Sequence, residues 1–175
     1  MSPVAIRPAT AADLPQILAI YNDVIATSTA IYTTEASTLE ERRTWFDGRV
    51  AEGFPVLVAI VEGDVAGFAS FSAFRGAWPG YRHSVEHSIH VRADQRSRGI
   101  GSALVRALFP IAIAMDKHVM IGGIDADNTT SLRMHERLGF ERIAHFREVG
   151  RKFGRWLDLV FVQRFLDEPG APRAQ

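Results

Sequence analysis

The run Arg96-Ser97-Arg98-Gly99-Ile100-Gly101 joins a β-like stretch, Ser84 to Val91, to a helix-like one, Ser102 to Phe109. Strand, glycine turn and helix is the local grammar of an anion site. Glycines reach φ > 0 and let the backbone approach a ligand closely, while the free N–H groups and dipole of a helix's first turn favour negative charge. Arg96 and Arg98 add fixed positive charge beside those donors. The spacing R-x-x-G-x-G is not the dinucleotide form G-x-G-x-x-G, because Leu104 stands where the third glycine would be. A phosphate-bearing ligand is expected and a dinucleotide disfavoured; the plain alternative is a helix-start turn with solvated arginines.

Glu86 is the candidate general base. The strand around it alternates, with Val85, His87, Ile89 and Val91 on one face and Ser84, Glu86, Ser88 and His90 on the other. A carboxylate partly buried there has a raised pKa, nearer to what a base at neutral pH needs. Its bland reading is an ion pair with Arg75 or Arg82. Either arginine, one at a strand end and one just before the Glu86 strand, could instead bind a substrate carboxylate bidentately or simply face solvent.

The elements that must position these residues are legible around them. Val4 to Arg7 reads as a strand, then Thr10 with Asp13 as the cap of a helix whose apolar face is Leu14, Ile17, Leu18 and Tyr21. Thr38 with Glu41 caps a second helix that stops at Gly53. Pro55 to Val61 and Val65 to Phe74 read as a hairpin about Glu62-Gly63-Asp64, and Gly76 to Gly80 as a loop. Past the glycine turn, Pro110 should kink or split its helix. Val119 to Ile124 reads as a strand, Asn128 to Leu138 as a helix stopped by Gly139, and Phe140 to Arg147 and Trp156 to Phe165 as the last strands. This order is α+β with a central sheet. Residues 1–166 are expected to form a single domain and 167–175 a frayed tail.

Composition removes several classes. Twenty Lys plus Arg balance twenty Asp plus Glu across 175 residues, so no basic field invites nucleic acid or an anionic membrane. The chain has no cysteine, which excludes disulfides, thiolate metal sites and an acyl-cysteine intermediate; no metal is expected. The longest apolar run, Val56 to Val61, is far too short to span a bilayer, and the expected setting is cytoplasmic.

With Asn128 and Leu138-Gly139-Phe140 following in order, Arg96-x-x-Gly99-x-Gly101 resembles the acetyl-CoA pyrophosphate loop of the GNAT N-acetyltransferases, over Ile6 to about Phe165. Ser84 to Val91, Leu132 to Glu136 and Gly150 to Asp158 are similar to the phosphinothricin and methionine sulfone/sulfoximine acetyltransferase branch. The resemblance implies a mixed, mainly antiparallel central sheet flanked by helices, and acetyl transfer from acetyl-CoA directly to a small amino acid analogue. Glu86 falls where related enzymes place the base. The pyrophosphate would meet Arg96, Ser97, Arg98, Gly99, Ile100 and Gly101, and the pantetheine arm the backbone of Ile89 and Val91 with Asn128 and Ser131. Asn128 is also a good N-cap.

The same resemblance makes His135, where many relatives carry a tyrosine, a cofactor contact and a candidate acid for the leaving thiolate; a helical histidine is more often packed or solvated. Arg75, Gly76, Ala77, Arg82, Val85, Glu86 and His87 would line the substrate pocket, with Tyr32, Phe153 and Trp156 as walls. Phe74 to Arg82 is nearer to the methionine sulfone/sulfoximine type. A homodimer is implied, with Lys152 and Trp156 near the subunit boundary. The rivals are an alanine-type acetyltransferase of protein N-termini and a non-catalytic CoA-binding sensor.

Overall fold

In this computed structural model, which describes residues 4–166, the chain runs β1 (Ala5–Pro8), α1 (Leu14–Thr27), α2 (Leu39–Ala51), β2 (Val56–Val61), β3 (Asp64–Ala73), β4 (Ser84–Val91), α3 (Ile100–Ala114), β5 (Val119–Asp125), α4 (Thr129–Arg137), β6 (Glu141–Lys152) and β7 (Arg155–Phe165). The expected tail at 167–175 lies outside the described residues. All seven strands join one sheet in the order β1-β2-β3-β4-β5-β7-β6, antiparallel throughout except for β4 against β5.

Local signals account for most of these boundaries. Thr10 and Asp13 form a reciprocal capping box that opens a short 3-10 turn ahead of α1, and Thr38 with Glu41 does the same for α2. The β2–β3 hairpin closes on two residues, Glu62 (φ 53°) and Gly63 (φ 91°), so Asp64 already belongs to the strand. Pro110 does not split α3, which runs unbroken through it. Pro110 and Arg106, whose carbonyl loses its helical partner, are both exposed, so the freed acceptor falls on the solvent side of the helix rather than in the core.

The α3 and α4 side of the sheet holds the larger core, including Val85, Leu104, Leu108, Met120 and Val162; α1 and α2 cover the other face through Leu14, Ile17, Phe46, Val58 and Phe68. Each such side chain contributes about 1.5 to 3 kcal/mol on burial. Ile20 and Val24, rather than Leu18, complete the buried stripe of α1. None of the described helices is long and apolar enough to cross a membrane.

Candidate active site

The parallel pairing of β4 and β5 is short. Ser84, Val85 and Glu86 pair with Val119, Met120 and Ile121, and from His87 onward the two strands part, although β4 stays bonded to β3 as far as Val91. The split opens a cleft lined by Glu86, Ser88, His90, Gly123, Asp125 and Ser131, among others. One edge of β4 from His87 to Val91, including the backbone of Ile89 and Val91, is thereby left without a strand partner among the described residues.

Glu86 sits at the apex of the split. Its carboxylate reaches over Gly123, where an added Cβ would stand 3.5 Å from Oε1. It makes no ion pair or hydrogen bond with a described residue, so the alternative of a partner in Arg75 or Arg82 is not what the fold builds. Burial raises its pKa above the ordinary carboxylate value. An unpaired, partly dehydrated carboxylate is what a proton acceptor requires.

His87 and His135 also line the cleft, and they are buried and touch. His87 Nε2 lies 2.9 Å from His135 Nε2, while His87 Nδ1 contacts the Ile121 carbonyl at 2.8 Å and His135 Nδ1 the Ser131 carbonyl at 2.8 Å. Both rings pack on Phe140, and Gly122 leaves the space His87 fills, since a Cβ there would lie 2.6 Å from its Cε1. Asn128 caps α4, its Oδ1 accepting from the Ser131 N–H at 3.1 Å, and both residues also line the cleft. Asp125 is a residue that sequence reasoning missed. It is buried at the end of β5, with Oδ1 accepting from the Asp127 N–H and Oδ2 without a partner among the described residues, beside the cleft. A carboxylate at the end of an apolar strand was the available signal.

At the far end of β4 the glycine turn has the shape its spacing predicts. Ser97 (φ 61°) and Gly99 (φ 81°) take left-handed conformations, and Gly99 is the N-cap of α3, so the first N–H groups of the helix point out of the turn. Arg96 and Arg98 are exposed; Arg96 holds the Val91 carbonyl and Arg98 the Gln95 side chain. Ile100 contributes backbone only, its side chain being in the core. Gly101 is also closely packed: a Cβ there would stand 3.1 Å from Met134 Sδ and 3.2 Å from Ile89 Cδ1, so those two side chains would have to give by a few tenths of an ångström.

Several expected substrate contacts fall elsewhere. Val85 is fully buried in the core and offers no side chain, and His87 is pinned by the contacts above. Arg75, Gly76, Ala77 and Arg82 are exposed on the β3–β4 connection, outside the residues lining the cleft. Arg75 stacks over Tyr81. Phe153 and Trp156 are not walls: both stand out on the β6–β7 hairpin, more than half exposed at 55% and 58%. Lys152 points inward rather than to a boundary, its ammonium donating to the carbonyls of Ile25, Ser28 and Ile31 at 2.6 to 2.7 Å. Tyr32 lies on Gly150, where a Cβ would run into its ring, and donates to the Asp158 carbonyl at 2.9 Å.

Residues 17–140 match the Acetyltransferase (GNAT) family. The chain is similar to an L-methionine sulfoximine/L-methionine sulfone acetyltransferase of Pseudomonas paraeruginosa, 48% identical over 93% of this chain and 95% of that one. Among solved structures it resembles a ribosomal-protein-alanine N-acetyltransferase of Brucella melitensis (TM-score 0.89, 46% identity, covering 92% of this chain and 99% of that one). It also resembles a GNAT superfamily phosphinothricin acetyltransferase of Sinorhizobium meliloti in complex with AcCoA (TM-score 0.92, 36% identity, 100% and 94%). The split strands, the helix-capping glycine turn and these likenesses run along the same chain, which belongs to the GNAT family of acetyltransferases.

Proposed function

We propose that this acetyltransferase moves acetyl from acetyl-CoA directly to the amino group of a small amino acid analogue, with L-methionine sulfone, L-methionine sulfoximine and phosphinothricin as the acceptors to test first. The residues fit that co-substrate. The N–H-rich turn at Gly99 with Arg96 and Arg98 suits its phosphates, and the unpaired edge of β4 suits an amide-bearing arm. The observation that carries the reading is Glu86, an unpartnered and dehydrated carboxylate where β4 and β5 separate.

In the proposed sequence Glu86 accepts the proton of the acceptor's ammonium. The freed amine attacks the thioester carbonyl and a C–N bond forms; the C–S bond then breaks with sulfur leaving as thiolate, and the extra proton on the new nitrogen passes to that thiolate, giving the neutral amide and the free thiol of CoA. A thiol of ordinary pKa about 8.5 is a competent leaving group. Arg75 and Arg82 carry no ion pair with a described residue, but they stand on the β3–β4 connection outside the residues lining the cleft, so they meet the acceptor's carboxylate only if it extends out of the cleft to that connection. A shared tetrahedral, oxygen-bearing sulfur or phosphorus centre explains why both acceptor classes belong in one screen.

The Brucella likeness favours a second reading, acetylation of an alanine-type peptide N-terminus. Acetyl-CoA consumption with the three analogues, set against Ala-initiated peptides, separates the two. Turnover confined to peptides would overturn the small-acceptor reading. Dependence on a co-substrate made inside cells supports a cytoplasmic setting. Exposed Phe146, Val149, Phe153 and Trp156 on the β6–β7 hairpin, at the end of the sheet, support a homodimer through that hairpin.

A further inference from the structure

The contacts of His87 and His135 pose a counting problem. Three contacts run in line: the Ile121 carbonyl to His87 Nδ1 at 2.8 Å, His87 Nε2 to His135 Nε2 at 2.9 Å, and His135 Nδ1 to the Ser131 carbonyl at 2.8 Å. A carbonyl oxygen only accepts, so each Nδ1 must carry a hydrogen. The contact between the two Nε2 atoms needs a third. Two neutral imidazoles have only two, which leaves either two lone pairs facing each other at 2.9 Å or a bare Nδ1 facing a carbonyl at 2.8 Å. The hydroxyl in reach, Ser131 Oγ, stands 3.4 Å from His135 Nδ1. That is long for an O–H···N bond and leaves the carbonyl contact unrelieved.

We infer that His87 and His135 share one extra proton in an Nε2–H···Nε2 hydrogen bond, forming a single buried cation beside the acetyl-transfer cleft, with His87 as the positioning residue for His135. The proton count stands on geometry alone; the role given to it rests on the acetyltransferase reading.

The surroundings permit one charge and oppose two. Phe140 covers both rings, Gly122 of β5 abuts His87, and the charged side chains of α4, Arg133, Glu136 and Arg137, are exposed. The carboxylates lining the same cleft are Glu86 and Asp125, and neither pairs with a ring. Burial lowers the pKa of both rings, and His87 is pushed down to about 3 by burial first and by the charge of His135 second. Burial opposes the first proton as well as the second, whereas the repulsion between the rings opposes only the second. The first turns a lone-pair clash into a charge-assisted hydrogen bond and leaves all three N–H groups satisfied.

With both nitrogens engaged, His135 does not hand its proton to the sulfur without breaking the pair. It acts as fixed positive charge lining the cleft in which the oxyanion and thiolate develop.

The test is a count of ring hydrogens in the intact protein at neutral pH, by NMR with nitrogen-15-labelled histidine. The sequence has six histidines, so the pair is assigned through replacements of the other four. Three protected N–H groups on the pair are expected, two at Nδ1 and one shared at Nε2. Two hydrogens and a bare ring nitrogen overturn the proposal. His87→Phe should remove the shared hydrogen and shift to lower pH the alkaline fall of kcat, which in wild type reports loss of the pair's proton. A folded His87→Phe enzyme with the wild-type alkaline limb overturns the positioning role; if it does not fold, the wild-type count decides. Absence of turnover with every amine would sink the acetyltransferase reading and leave the count unaffected.

Discussion

Glu86 concentrates the chemistry in one carboxyl whose pKa is raised by burial with nothing to offset it. Glu86→Gln keeps the shape and removes the proton affinity, so turnover should fall about 10²- to 10⁴-fold while acetyl-CoA affinity, read by calorimetry, stays near wild type. Near-full turnover at saturating substrate would remove Glu86 from the mechanism. The same substitution has a stability signature. Below the unfolded carboxyl value of about 4.3 both states are protonated and no charge is buried. As pH rises past that value the unfolded chain ionises first, and native stability is lost until the folded carboxyl ionises too. Glu86→Gln lacks this loss, so its melting temperature should exceed that of wild type at pH 7 and converge with it near pH 4.

Elements set where such residues meet. The left-handed turn at Ser97 and Gly99 aims the first N–H groups of α3, and a Cβ at Gly99 meets no atom within 4 Å. Gly99→Val therefore tests conformation rather than crowding: strain of about 1 to 2 kcal/mol should distort the turn and raise the acetyl-CoA dissociation constant more than the acceptor KM. Equal changes in both would detach the turn from the co-substrate. Arg98→Ala should leave the conformation of the turn intact and weaken acetyl-CoA binding by at most one charge-assisted contact, about 1.5 to 3 kcal/mol.

On the other side of the sheet, Lys152 ties β6 to the end of α1. Its ammonium satisfies three carbonyls from a site only 2% exposed, and desolvation lowers its pKa. Lys152→Met should cost about 2 to 4 kcal/mol in chemical denaturation, because it strands acceptors at a helix end. Lys152→Arg should not restore it, since a planar fork does not fit three converging carbonyls. Full rescue by arginine would mean that only the charge matters.

At the scale of the whole molecule, the proposed dimer uses the hairpin at the end of the sheet, where Trp156 and Phe153 stand exposed. Trp156→Asp should shift sedimentation from dimer to monomer at assay concentration without altering the acetyl-CoA affinity of the monomer. A wild-type protein that sediments only as monomer would remove that assembly.

The glycine turn, the two capping boxes, the presence of a hairpin about Glu62-Gly63-Asp64 and the alternation of β4 were all readable, because each is decided by neighbours within a few residues, although the turn itself proved one residue shorter than read. Extension of β6 to Lys152 was not. Its irregular register between Phe146 and Gly150, with Glu148 at φ 54°, is held by Asp158, which accepts from the Glu148 N–H and bonds His145 across the hairpin. Glu86 was legible as a residue on a polar strand face, yet its freedom from Arg75 and Arg82 depended on where a loop carried those arginines. The inward turn of Lys152, the orphan oxygen of Asp125 and the meeting of His87 with His135 across 48 residues belong to the tertiary structure alone. Sequence spacing determines which groups a strand or helix presents, through periods of 2 and 3.6 residues. Only packing decides which distant groups share a desolvated space, and it is that shared desolvation that shifts their proton affinities.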